Sequence, residues 1–249
     1  FIFGLAAQDD VLGSHASYYI DPVDHFDYHP QLPQILRGFG YQGAVVRSTM
    51  LGDVKAVTAD RIRWRGLDGS EIESFPEYEG LGHGAKFTPH MGNTNEVLNL
   101  YPTANLIAKA DEKGYKTLVT EVLYDAGGGD DELWETTHTV LNTVAPVSGI
   151  SATMKEIFHV TPPAVKSFYF DVDDLYNSAL ERWGRWGGNN RDFGCIRTAE
   201  NQLLAAEKLL AIGQALKCIT SDQQTEAVRM LQNAWKKMLV IQDHMLYGK

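Results

Sequence analysis

Twice in the first half of the chain a helical stretch stops on glycine, and an apolar run begins three residues later. Leu32 to Phe39 is followed by Gly40 and then by Gly43-Ala44-Val45-Val46-Arg47. Thr103 to Lys113 is followed by Gly114 and then by Thr117-Leu118-Val119-Thr120-Glu121-Val122-Leu123. Glycine tolerates the left-handed conformation that a helix end needs, and a short apolar run reads as a buried strand. Helix, glycine and strand in alternation are the grammar of an α/β domain, where ligands gather at the carboxyl ends of strands. Between the two units, Arg61-Ile62-Arg63-Trp64-Arg65 and Glu71-Ile72-Glu73-Ser74-Phe75 alternate polar with apolar residues around Leu67-Asp68-Gly69-Ser70. This predicts a β-hairpin with positive φ at its Asp-Gly turn. Such a hairpin is expected as an excursion from the main sheet, not as part of its centre.

The pattern changes near Asp171. From there to Lys249 no strand signal remains. Ala199 to Gly213 reads as one helix, and Ser221-Asp222-Gln223-Gln224 as the capping-box start of another. Ala227, Val228, Leu231, Ala234, Trp235, Met238 and Leu239 recur along the second at helical spacing. The expected organisation is an α/β part over residues 1–170 and a helical bundle over residues 171–249. A chain of 249 residues accommodates both. It has no run of ~18 apolar residues, so no membrane helix is expected. A net charge of −10 repels polyphosphate, so nucleic acid is not an expected partner. Cys195 and Cys218 lack CxxC spacing and suggest neither a disulfide framework nor a zinc knuckle. The opening Phe1-Ile2-Phe3-Gly4-Leu5-Ala6-Ala7 has no basic n-region and is too short for a signal peptide. The expectation is a piece of a longer protein, or one shortened upstream.

The densest chemistry lies in Asp21-Pro22-Val23-Asp24-His25-Phe26-Asp27-Tyr28-His29-Pro30, with three carboxylates and two imidazoles. Carboxylate oxygen and neutral imidazole nitrogen are ligands that a zinc-like cation takes. A carboxylate at a strand end also serves as nucleophile or base. The plainer alternative is a polar loop whose Asp caps the helix starting near Gln31. A second candidate is Asp125, followed by Gly127-Gly128-Gly129 in a loop flanked by acids, which suits a sugar hydroxyl or a cation better than a phosphate. His244, in Val240-Ile241-Gln242-Asp243-His244, is a ligand or a helix-end imidazole facing the negative end of the dipole. His15, His83, His90, His138 and His159 show no pairing in the sequence. Trp183-Gly184-Arg185-Trp186-Gly187-Gly188 is a sugar-stacking segment or a packed loop.

In order along the chain, these segments resemble glycoside hydrolase family 38, the zinc-dependent α-mannosidases. Asp24-x-Phe26 followed by Pro30-Gln31-Leu32-Pro33-Gln34-Ile35-Leu36 resembles the family's nucleophile segment, Asp-x-Phe-Gly-His/Tyr and then Leu/Met-Pro-x-Ile-Leu. Val45-Val46-Arg47-Ser48 resembles the Arg-Thr after the next strand, and Trp64-Arg65-Gly66-Leu67-Asp68-Gly69-Ser70 its Trp-x-Gly-x-Asp-Gly-Ser/Thr stretch. Asp125-Ala126-Gly127-Gly128-Gly129 is similar to the glycine-rich loop of bacterial members. Ala199-Glu200 through Ala206-Glu207 is similar to the first bundle helix, and Trp235 through Gln242-Asp243-His244 to the segment holding a zinc histidine.

The resemblance implies the later part of an α/β (deacetylase-like) barrel followed by a helical bundle. It implies retaining hydrolysis of α-linked mannose from glycans, with zinc binding the sugar hydroxyls. Asp24 would be nucleophile and zinc ligand, and His244 a zinc ligand. Phe26, Arg47 and Asp125 would lie near the sugar. Glu181 is taken as the general acid, ahead of Asp173 and Asp174. The full-length form would be a homo-oligomer acting on a mannose-containing glycan. The sequence departs from the family pattern at His25, Asp27, Asp243 and Met245, and no His-x-Asp precedes Asp24. Two of four zinc ligands are then expected from an upstream segment, and the 249-residue piece alone is expected to be inactive. The alternatives are a metal-dependent deacetylase-type barrel enzyme and a catalytically degenerate sugar-binding relative.

Overall fold

A computed structural model describes residues 1–19, 28–47, 54–81, 86–87, 104–119, 121–122, 139, 143, 145, 149, 152–175 and 190–241. The chain divides into two compact units, Phe1–Ala179 and Leu180–Lys249. In the first, the elements are α1 (Ile2–Leu12), β1 (Tyr18–Tyr19), α2 (Leu32–Gly38), β2 (Gly43–Val46), β3 (Ile62–Arg65), β4 (Glu71–Pro76), β5 (Lys86–Phe87), α3 (Ala104–Glu112), β6 (Glu121–Val122), α4 (Met154–Val160) and β7 (Lys166–Tyr169). The second holds α5 (Asn190–Ala215) and α6 (Ser221–Ile241).

Five strands form one mixed sheet in the order β1-β2-β4-β3-β7. β1, β2 and β4 run parallel, with Tyr18 opposite Gly43 and Gly43 opposite Glu73. β3 runs antiparallel to β4, and β7 parallel to β3. β5 and β6 pair separately, in parallel. This is the expected α/β class. The helix stops on glycine are also observed: Gly40 and Gly114 have φ of 82° and 79°.

The β3–β4 hairpin overturns one expectation, because β4 is the central strand of the sheet and not an excursion from it. The turn itself forms as the Asp-Gly pair predicts, with Gly69 at φ 86° and the Ser70 amide donating to Asp68 Oδ1 at 2.9 Å. Polar residues fit the centre because they satisfy one another across the strands. Arg61 pairs with Glu73 at 2.5 Å and Arg63 with Glu71 at 3.6 Å, the diagonal cross-strand arrangement in which opposite charges stabilise a sheet.

The sheet separates two layers of core, as a period of two dictates. Ala44 and Val46 of β2, Ile62 and Trp64 of β3, and Ile72 of β4 join Leu36 of α2 and Phe170 in one cluster. Val45 and Phe75 meet Phe158 of α4 in another. There α4 approaches the sheet so closely that a Cβ on Gly43 would lie 2.5 Å from the Phe158 ring. A capping box starts α4: Thr153 Oγ1 accepts from the Glu156 amide at 3.3 Å, and Glu156 Oε2 accepts from the Thr153 amide at 2.8 Å. A third cluster packs Leu106 and Ala110 of α3 against Tyr78, Leu81 and Tyr115.

In the second unit α5 is longer than the Ala199–Gly213 stretch read from sequence, starting at Asn190. The capping box of α6 lies one residue earlier than expected. Thr220, not Ser221, is the cap: the Gln223 amide donates to Thr220 Oγ1 at 3.2 Å, and the Thr220 amide to Gln223 Oε1 at 2.9 Å. The two helices pack together, and Trp235 Nε1 donates to Glu207 Oε1 at 2.7 Å.

Candidate functional site

The carboxyl ends of the parallel strands are where an α/β domain binds ligands. Arg47 follows β2 at that end, and 1% of it is exposed. Its backbone amide donates to the Tyr28 hydroxyl at 3.4 Å, and its Nε donates to the carbonyl of Pro76, the last residue of β4, at 3.1 Å. Its guanidinium lies 4.8 Å from the centroid of the Tyr78 ring, a geometry that favours a desolvated cation over an aromatic face. The Tyr78 hydroxyl accepts from the Val119 amide at 3.3 Å and donates to the Asp60 carbonyl at 3.4 Å. Burial pushes the Tyr78 hydroxyl pKa up, and the nearby Arg47 charge opposes that rise. Tyr28 in turn packs edge-on against Trp64, with ring centroids 5.8 Å apart. A fixed positive charge thus sits where β2 and β4 end, tied to Tyr28 of the Asp/His cluster.

Of the nucleophile, acid, metal-ligand and sugar-contact candidates Asp24, Phe26, Arg47, Asp125, Glu181 and His244, the described residues include Arg47. Asp24, Phe26, Asp125, Glu181 and His244 lie outside the described residues, as does the Trp183–Gly188 segment. At the end of the Asp/His cluster, His29 Nδ1 accepts from the Gln31 amide at 3.2 Å, and Gln31 caps α2 without a side-chain bond. Asp173 is exposed. Asp174 is engaged by Lys55 at 2.8 Å and receives the Asp171 amide at 3.3 Å. His15 Nδ1 lies 2.8 Å from Asp9 Oδ1, an exposed contact six residues apart that no sequence pattern signals. Among the described residues no three His, Cys, Asp or Glu side chains are grouped to hold a metal ion. Among them, too, no helix is long and apolar enough to cross a membrane.

Sequence reasoning missed Tyr28, Pro76 and Tyr78 as the partners of Arg47. Tyr28 was legible only as part of the polar cluster, and the contact with Pro76 depends on strands β2 and β4 being neighbours, which no local pattern encodes.

No family model matches the chain, and no curated protein matches it. Among solved structures it is similar to an α-mannosidase from Enterococcus faecalis V583, with a TM-score of 0.59 and 14% identity. The match covers 99% of this chain and 28% of that protein, so the chain spans little more than a quarter of the structure it resembles. The chain therefore has an α-mannosidase-like fold along nearly its whole length.

Proposed function

We propose that this chain is part of the catalytic region of a retaining α-mannosidase acting on mannose-containing glycans. The observation that carries the reading is the correspondence of fold with an α-mannosidase over 99% of the chain. The ordered motifs from Asp24 to His244 support it, as does the fixed cation at the carboxyl ends of β2 and β4.

In this reading the α/β unit is the later part of a barrel. Asp24 attacks the anomeric carbon while the glycosidic C–O bond breaks. Glu181 gives its proton to the leaving oxygen, then takes one from the water that hydrolyses the covalent glycosyl-enzyme. The two carboxyl groups are expected about 5–5.5 Å apart in a retaining enzyme. Arg47, already fixed through Nε to Pro76, contributes a stationary positive field that favours the ionised form of a nearby carboxylate. Phe26 and Asp125 contact the sugar. Asp24 and His244 offer the oxygen and nitrogen donors that zinc takes, and a four-coordinate site needs further ligands besides these two. Bound zinc would polarise the sugar hydroxyls and stabilise developing charge.

The test is Asp24→Asn in the full-length protein, assayed on 4-nitrophenyl α-mannoside. Cleavage is expected to vanish while the circular dichroism spectrum is unchanged. Turnover retained by the variant removes Asp24 as nucleophile. Release of acetate from an acetylated sugar, with no mannoside cleavage by the parent protein, would favour the deacetylase-type reading.

A further inference from the structure

A cavity opens on the other side of the sheet from Trp64. Its volume is about 350 Å³, and Tyr18, Gln42, Arg61, Lys155, Phe158 and His159 line it. That volume lies at the lower end of the roughly 300–1,000 Å³ of small-molecule sites. Tyr18 is the first residue of β1, and Gln42 immediately precedes β2. The cavity is therefore at the amino ends of the parallel strands. Along β2, Gln42 lies five residues before Arg47, about 16 Å at ~3.3 Å per residue.

Its chemistry is opposite in sign to that of the whole chain. The net charge is −10, yet among the described residues Arg61, Lys155 and His159 line this cavity and no carboxylate does. Arg61 forms part of the wall and is already committed. It pairs with Glu73 at 2.5 Å, donates through Nη1 to the Phe158 carbonyl at 2.9 Å, and lies 4.6 Å from the Phe158 ring centroid. The neighbouring acids are committed as well. Glu73 is held by Arg61 and by the Ala164 amide at 3.1 Å. Glu156 is held by the Thr153 amide and hydroxyl, at 2.8 and 2.7 Å. Lys155 and His159 remain. They are four residues apart on α4, so they share a face; both are exposed, and neither has an ion-pair partner among the described residues. The Tyr18 hydroxyl donates to Gln42 Oε1 at 3.2 Å, which leaves the Gln42 amide nitrogen as a further donor. Tyr18 and Phe158, stacked at 4.9 Å, provide an apolar wall beside these donors.

We propose that this cavity binds a phosphate monoester, with the phosphate on Lys155, His159 and the Gln42 amide and the esterified body against Tyr18 and Phe158. Phosphate suits a point-charge ammonium with neighbouring N–H donors, and an aromatic wall adds contact for a ring.

The test is isothermal titration of the full-length protein at pH 7 with phenyl phosphate, glucose 6-phosphate and inorganic phosphate. At least one ester is expected to bind tenfold or more tightly than inorganic phosphate, and which one does identifies the body as aryl or sugar. Lys155→Ala and His159→Gln, both at exposed positions, are each expected to weaken ester binding tenfold or more, while Lys208→Ala on α5 leaves it unchanged. The proposal is overturned if no probe binds at 10 mM, if inorganic phosphate binds as tightly as both esters, or if the α4 variants bind like the parent. Mannoside cleavage is scored separately, and either assignment can fail without the other.

Discussion

The closest approach in the sheet offers a sharp test of its packing. Gly43→Ala adds one methyl group whose carbon would sit 2.5 Å from Phe158 Cε1 and Cζ, well inside van der Waals contact. The ring cannot step aside easily. It is 8% exposed, stacks on Tyr18 at 4.9 Å, tilts against Phe75 at 4.6 Å, and lies under the Arg61 guanidinium at 4.6 Å. Overpacking of this kind costs about 1–3 kcal/mol. For a unit of this size, 1 kcal/mol corresponds to roughly 2–4 °C in Tm, so a fall of about 2–12 °C is expected in calorimetry. The double variant Gly43→Ala/Phe158→Leu separates the cause. Removing the ring by itself costs stability, but in its absence the added methyl should cost much less. If the methyl is equally damaging with Leu at position 158, or harmless with Phe there, α4 does not sit on β2 as described.

Two further outcomes follow from the helix starts. Thr220→Ala should cost about 0.5–2 kcal/mol, read from thermal melts, whereas Ser221→Ala should be close to neutral, because Thr220 takes the Gln223 amide. Glu156 has its pKa lowered, first by the Thr153 amide and then by its hydroxyl. A lowered folded pKa means stability present above the unfolded value of 4.5 and lost as pH falls through the lower folded value. The Tm difference between parent and Glu156→Ala is therefore expected to be largest near neutral pH and to shrink below pH 4.5; a difference constant with pH would contradict the capping role.

What the sequence conveyed was local. Gly40, Gly114 and the Asp68-Gly69 turn each act within a few residues, and each forms as read. The place of the hairpin was not legible, because alternation of polar and apolar residues ordinarily means one face in water. Here Arg61, Arg63, Glu71 and Glu73 neutralise one another, so a polar face was compatible with the central strand. β7 was not legible either: it is four residues, mostly exposed, and its partner β3 lies some hundred residues earlier, with Ile62 opposite Lys166. The α6 cap was ambiguous in principle, since Thr220…Gln223 and Ser221…Gln224 fit the same pattern and backbone geometry alone chooses between them. For the site, residue types and order suggested Asp24 and His244. The partners that immobilise Arg47, Tyr28 in one segment and Pro76 and Tyr78 in another, left no trace in spacing.

The order in which the sheet's two sides are sealed has a kinetic consequence. The residues that cover Ala44 and Trp64 on one side include Leu36, which is made before either strand. The other side, with Val45 and Phe75, waits for Phe158, 82 residues after β4 ends at Pro76. At ~5–20 residues per second of synthesis, that leaves Val45 and Phe75 without their α4 cover for about 4–16 s, an interval in which neighbouring nascent chains can stick to them.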